Sequence, residues 1–140
     1  MKRMSIWLAV VVAGVVMNIL DYVLQGVWLT NVYYSKMTDL FNLAVNPAWY
    51  VILDFVSVFI FAWVYDRVYG SFAGGPKGGA LYGLFAGILV NFPTWIAVHL
   101  FIKGYAYDLA WVSTVYGILW GVVAGAIVGA IYKKGSSATA

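Results

Sequence analysis

Two aspartates lie inside apolar stretches of this chain, where a carboxyl group is costly. Asp21 and Asp54 each stand in the motif Ile-Leu-Asp-aromatic-Val, and no lysine or arginine lies within the same stretches to neutralise them. An aspartate at the centre of a membrane helix costs about 2.5–3.5 kcal/mol on insertion scales, so each needs a compensating interaction. Two such carboxyls on neighbouring helices could share a proton or bind a cation.

Further polar side chains could join the aspartates. Gln25 follows Asp21 by four residues, and a third apolar stretch contributes an asparagine and the single histidine of the chain. The sequence therefore predicts a polar pocket built from five residues: Asp21, Gln25, Asp54, Asn91 and His99. The alternative is structural, because a protonated aspartate and the amides can simply hydrogen-bond across helices and hold them together.

One face of the first stretch is predicted to contact protein rather than lipid. Spacings of three and four residues keep five residues within about 80° of arc on a helix: Gly14, Asn18, Asp21, Gln25 and Trp28.

Most other chemistries are excluded by missing residue types. The chain has no cysteine and no glutamate, and His99 is its one histidine, so no metal site and no cofactor are expected. The formal charge of +3 does not indicate nucleic-acid binding, because the basic residues are scattered rather than clustered. An intramembrane enzyme that uses His99 and an aspartate is the weakest interpretation, since no nucleophile stands beside them.

Four apolar stretches must position these residues. With 64% hydrophobic and 9% charged residues in a chain of 140, a water-soluble domain is excluded. A helix needs about 20 apolar residues to cross a bilayer, and four stretches qualify: 5–29, 47–65, 78–102 and 109–132. We predict one all-α integral membrane domain over 1–140, an antiparallel bundle of four transmembrane helices with a short tail at 133–140.

The basic residues predict the orientation of the bundle. Cytoplasmic segments of membrane proteins are enriched in lysine and arginine. One side of the predicted bundle would hold six basic residues and the other side two: Lys2, Arg3, Arg67, Lys77, Lys133 and Lys134 against Lys36 and Lys103. This asymmetry predicts a protein of a bacterial-type inner membrane with both termini on the cytoplasmic side. The N-terminal stretch also resembles a signal peptide, but no A-x-A cleavage site follows it, so an uncleaved helix is expected.

Two connections carry weaker signals. In segment 31–46, Thr38 could cap a short helix that lies flat in the membrane interface, and an ordered loop is the alternative. The glycine-rich segment 70–79 does not meet the spacing of a phosphate-binding loop, and we interpret it as a flexible linker.

Glycines recur four residues apart in the last two stretches. Small residues at this spacing let two helix backbones approach closely, as in a glycine zipper. The third stretch carries three and the fourth carries four: Gly79, Gly83 and Gly87, then Gly117, Gly121, Gly125 and Gly129. We expect one glycine face to pack inside the bundle and the other to be available for a partner.

Three functions remain open from the sequence. The favoured one is a structural or accessory membrane protein that packs with itself or with a larger membrane complex through its glycine faces, because reactive groups are few. The second is a small transporter or ion-coupled carrier that uses the Asp21/Asp54 pocket; the repeated aspartate motif resembles an inverted repeat, which is typical of transporters, although chance in a biased composition also explains it. The third is the intramembrane enzyme.

Overall fold

A computed structural model describes residues 2–132, with side chains from residue 5 onward. The predicted tail 133–140, with Lys133 and Lys134, lies outside the described residues, as do the side chains of Lys2 and Arg3. The described chain is α-helical and contains four helices that are long and apolar enough to cross a membrane. The prediction of four apolar spans is thereby confirmed.

The first helix changes its geometry along its length. Helix α1 is α-helical over Lys2–Asp21, π-helical over Tyr22–Leu29, and α-helical again over Thr30–Val32. The other helices are α2 at Pro47–Val68, α3 at Gly75–Phe101 and α4 at Tyr107–Ile131. Short 3-10 turns occupy Tyr34–Lys36 and Tyr69–Ser71.

Helices α2 and α3 both begin with proline in the first turn, where the missing N–H costs nothing. Before α2, the side chain of Asn46 accepts a hydrogen bond of 3.0 Å from the Ala48 N–H and caps the helix. Gly75, the first residue of α3, has a φ of +83°, which only glycine adopts without strain. The predicted linker 70–79 is therefore wrong in its second half, because the residues from Gly75 onward form the first turns of α3.

The connection between α1 and α2 is an ordered loop, and the alternative of a short helix capped by Thr38 is wrong. Residues 37–46 form turns rather than a helix. The side chain of Asn42 accepts a hydrogen bond of 3.0 Å from the Ala44 N–H. Such a local bond gives the backbone an alternative to helical pairing.

Helix α4 is the most central of the four. Consecutive helices run antiparallel, α1 contacts both α2 and α4, and α3 packs along α4. One end of the bundle, here the terminal end, holds the start of α1 and the end of α4. The opposite loop end holds the α1–α2 and α3–α4 connections.

The two glycine runs face each other along the α3–α4 seam. A Cβ atom at Gly83 would collide with the carbonyl oxygen of Gly121, and one at Gly79 would collide with that of Gly125. Gly87 lies against the backbone of Ile118 in the same way. Contrary to the expectation, neither run is left for a partner. Two faces with the same spacing fit each other more closely than either fits a face with larger side chains.

The buried apolar residues form two clusters separated along the bundle axis. The cluster near the terminal end is centred on Met17, Val58 and Tyr65 and extends to Tyr132, whose hydroxyl donates to the Asp66 carboxylate. The cluster at the loop end is Leu29, Tyr105, Leu109 and Ala110. Asp21 and Asp54 lie at the level of the bundle between the two clusters.

Candidate functional site

Asp21 of α1 and Asp54 of α2 lie close enough for each carboxyl group to act electrostatically on the other. Both side chains are half-buried. The helices bring them together because α1 and α2 pack antiparallel at close range: Gly14 lies directly against the ring of Phe55, where a Cβ atom would not fit. Asp21 is seven residues after Gly14, and so lies two turns further along the same face of α1.

Two further polar side chains act on the carboxyl group of Asp21. They are Gln25, one turn further along α1, and Trp120 of α4. One carboxyl oxygen, Oδ1 of Asp21, is nevertheless buried without a hydrogen-bond partner among the described residues. The site is thus a carboxyl pair with an amide and an indole beside it, and it retains one unused acceptor. Below, the carboxyl pair means Asp21 and Asp54.

The π-helix begins directly after Asp21. Thr30 donates both its backbone N–H and its hydroxyl, the latter at 2.9 Å, to the carbonyl oxygen of Gln25 five residues earlier. The wider turn changes which side chain faces the bundle, since Leu29 is 1% exposed whereas Trp28 is 48% exposed. The prediction that the inward face ends at Trp28 is therefore wrong. Departures of this kind from α-helical geometry often occur at functional sites.

Asn91 is engaged within the α3–α4 seam rather than with the carboxyl pair. Its amide nitrogen donates to the carbonyl oxygen of Gly87 at 2.9 Å, and its side-chain oxygen accepts from the indole of Trp95 at 3.3 Å. The same side chain fills the space over Gly117. Asn91 thereby covers the loop-end side of the glycine contact.

His99 is engaged at the loop end of the bundle. Its Nδ1 lies 2.8 Å from the carbonyl oxygen of Tyr105, and its ring lies 5.2 Å from that of Tyr107. The Tyr105 hydroxyl lies 3.4 Å from Ser113, and burial raises the pKa of Tyr105. These contacts tie the α3–α4 connection to both helices. Of the five predicted pocket residues, Asp21, Gln25 and Asp54 therefore lie together. Asn91 and His99 have other partners.

Trp120 belongs to the site but was not predicted from the sequence. Interfacial tryptophans sit near helix ends, whereas Trp120 lies near the middle of α4. A buried indole N–H needs an acceptor, so the central position of Trp120 was the available signal.

The arrangement can hold a proton between two carboxyl oxygens, or a small cation beside them. Among the described residues, no three histidine, aspartate or similar side chains converge in a way that could hold a metal ion by themselves. No basic side chain is among the groups acting on either carboxyl. Comparisons with protein-family models, with curated proteins and with solved structures find no significant match to this chain.

Proposed function

We propose that the protein is a small ion-coupled membrane carrier whose working site is the carboxyl pair. The observation that supports this proposal is the pairing of Asp21 with Asp54 between two apolar clusters, where each carboxyl acts on the other and no basic side chain acts on either. Two carboxylates in contact cannot both ionise cheaply away from water, so the pair retains one proton and exchanges it. Exchange of a proton or cation at such a pair is the elementary step of ion coupling.

The interpretation as an accessory protein is less well supported, because its proposed docking surface, a glycine face, is not exposed. It required a glycine face open to a partner, whereas Gly83 and Gly121 are in backbone contact within one chain. The interpretation as an enzyme is also less well supported, because Nδ1 of His99 is engaged with the Tyr105 carbonyl rather than with an aspartate. A bundle of four helices offers only a narrow path across a membrane, so we propose that the carrier acts as a homo-oligomer.

Infrared spectroscopy of the purified protein tests for the shared proton. The wild type is expected to show a protonated-carboxyl band at neutral pH that disappears at higher pH, because one of the two carboxyls stays neutral until the pair ionises fully. The double variant Asp21→Asn/Asp54→Asn should lack the band at neutral pH, where the exposed carboxyls of the chain are ionised. Tyr34, Gln25 and Trp120 remain in both proteins, so they do not cause the difference.

Asp39→Asn provides the matched control, since Asp39 is exposed in the α1–α2 loop. This variant should retain the band with an unchanged pH dependence. A wild-type protein without the band at neutral pH would contradict the proposal, as would a band that survives in the double variant.

We also propose that both termini are cytoplasmic in an inner-membrane protein. The absence of cysteine from the chain permits labelling of single engineered thiols without background. Ser35 at the loop end and Ser71 at the terminal end are both exposed. A membrane-impermeant maleimide added to intact cells should label Ser35→Cys and leave Ser71→Cys unlabelled until the cells are opened. Labelling of Ser71→Cys but not of Ser35→Cys in intact cells would show that both termini face the outside and would contradict the proposal.

A further inference from the structure

Helices α2 and α3 meet in the terminal half of the bundle and stand apart in its loop-end half. Among the described residues, the ring contacts between the two helices all involve Tyr82, whose ring lies 4.7 Å from that of Phe61 and 5.1 Å from that of Tyr65. The Tyr82 hydroxyl also donates to the carbonyl oxygen of Phe61 at 3.1 Å. Tyr82 is 7% exposed, whereas Leu89, two turns further along the same face of α3, is 76% exposed. Below, the opening means the space between the loop-end halves of α2 and α3.

The opening reaches the level of the carboxyl pair. Asp54 lies seven residues from Phe61 along α2, and Leu89 lies seven residues from Tyr82 along α3. Because the two helices run antiparallel, both residues lie about 10 Å from the Tyr82–Phe61 contact, toward the loop end. The two turns of α2 before Asp54, residues 47–53, are exposed on every face. Asp54 is therefore the first residue of α2 that is partly covered, at the inner end of the opening.

The face of α2 that borders the opening is polar. Tyr50, Asp54 and Ser57 are spaced by four and three residues and so share a face of the helix. Tyr50 and Ser57 are exposed, and Phe61 continues this face to the contact with α3. The other exposed side chains of α2 from Pro47 to Trp63 are apolar. Lipid tails offer no hydrogen-bond partner to a hydroxyl or a carboxyl, so the polar face favours water in the opening.

Pro93 adds a backbone acceptor on the α3 side of the opening. Proline has no N–H, so the carbonyl of Leu89, four residues earlier, lacks its helical donor. Pro93 and Thr94 are exposed, and the Thr94 hydroxyl donates to the carbonyl of Val90 instead. A freed carbonyl in a membrane helix is satisfied by a neighbouring side chain or by water. Water in the opening would supply this donor.

The side of the carboxyl pair toward the terminal end is closed. Met17, Val58 and Tyr65 are completely buried there, at 0% exposure. The Tyr82–Phe61 contact lies beside this layer and joins α2 to α3. An interior packed to this degree leaves no space for a hydrated ion.

We propose that the opening is a water-filled entrance through which the carboxyl pair exchanges its proton or cation with the loop-end side, while the Tyr82–Phe61 contact closes the terminal side. The structure is then the state of the carrier that is open to the loop end. This inference rests on the proposed function and deepens it by naming the side from which the ion enters.

Two neighbouring residues at the same depth test for water in the opening. Ser57 lies on the polar face, whereas Val56, which is 48% exposed, lies on the outer apolar face. Since the chain has no cysteine, Ser57→Cys and Val56→Cys each carry one thiol. A positively charged, membrane-impermeant methanethiosulfonate should modify Ser57→Cys at least about tenfold faster, because the reactive thiolate forms in water and is suppressed in apolar surroundings. Equal rates would overturn the inference and indicate that lipid fills the opening.

Sealed membrane vesicles of both orientations measure the direction of access. Ser57→Cys should react when the reagent is on the side that labels Ser35→Cys, and should stay unmodified when the reagent is on the side that labels Ser71→Cys. This comparison does not depend on which end of the bundle is cytoplasmic. Modification from the Ser71 side, alone or together with the other, would overturn the inference, since the terminal side would then be open.

The modified protein tests whether the opening leads to the carboxyl pair. The reagent leaves a fixed positive charge one helical turn from Asp54, and a positive charge favours the ionised form of a nearby carboxyl. The protonated-carboxyl band should therefore disappear at a pH lower by about one unit or more. Modified Ser71→Cys is the matched control and should keep the wild-type pH dependence. An unchanged pH dependence in modified Ser57→Cys would overturn the inference.

The outcomes distinguish failure of this inference from failure of the proposed function. If Ser57→Cys is not modified from the loop end while the carboxyl band is present, the inference fails and the proton-binding proposal stands. If the band is absent from the wild type, both proposals fail, because the pair then holds no proton to exchange.

Discussion

Replacement of Gly83 by alanine is expected to destabilise the folded protein by about 3 kcal/mol or more, as overpacking of a close-packed contact does. The added Cβ atom would overlap the carbonyl oxygen of Gly121, which belongs to the backbone of α4 and cannot rotate away. Relief requires α3 and α4 to separate along their seam. Because the two helices contact each other over most of their length, their separation weakens packing contacts at many residues and not only at Gly83.

Unfolding of the purified protein in detergent, followed by tryptophan fluorescence, measures this effect. Gly26→Ala is the matched control, since it adds the same atom to a spanning helix where the nearest neighbour would be 3.5 Å away, an ordinary contact. That variant should be neutral or stabilised by up to about 1 kcal/mol, because alanine favours helix over glycine. Equal stability of Gly83→Ala and the wild type would show that the two glycine runs are not in backbone contact.

Replacement of Asp54 by leucine is expected to destabilise the protein by about 1–3 kcal/mol relative to replacement by asparagine, the cost of leaving a buried polar group without its partner. Leucine removes the group that Asp21 contacts, and Oδ1 of Asp21 already lacks a partner. Asparagine keeps both a donor and an acceptor at the same position, so it can bond to Asp21 in either protonation state.

The comparison of the two Asp54 variants separates folding from proton binding. Asp54→Asn should unfold near the wild-type temperature but change the carboxyl band, whereas Asp54→Leu should unfold earlier. Asp39→Leu, at an exposed loop position, controls for the change from a charged to an apolar side chain. If Asp54→Leu were as stable as Asp54→Asn, the contact between the two aspartates would contribute nothing to the fold.

The sequence by itself determined the features that depend on one helix at a time. The length and apolar composition of each stretch predicted the four helices, because a chain in lipid must satisfy its backbone hydrogen bonds internally. Spacing also predicted which glycines share a face. The shared motif around Asp21 and Asp54, and the cost of a carboxyl in an apolar stretch, also predicted that the two belong to one polar pocket.

Only the tertiary structure decided which faces meet. Hydropathy does not distinguish a glycine face that contacts another helix of the chain from one that contacts a partner, since both are apolar and small. The sequence positions of Asn91 and His99 also fitted a shared pocket with the aspartates. In the structure, Asn91 instead bonds to the Gly87 carbonyl and His99 to the Tyr105 carbonyl, partners that are close in sequence. Trp120 enters the site because α4 packs against α1, a contact between residues far apart in sequence.

The π-helix shows how local geometry escapes a pattern that assumes regular α-helix. An α-helical spacing of three or four residues assigned Trp28 to the inward face, whereas the wider turns after Asp21 place Leu29 there and leave Trp28 exposed. The bond from Thr30 to the Gln25 carbonyl satisfies the altered backbone within the helix itself. The composition of the segment does not signal this change, because π-helical and α-helical turns use the same apolar residues and differ only in which carbonyl accepts each N–H.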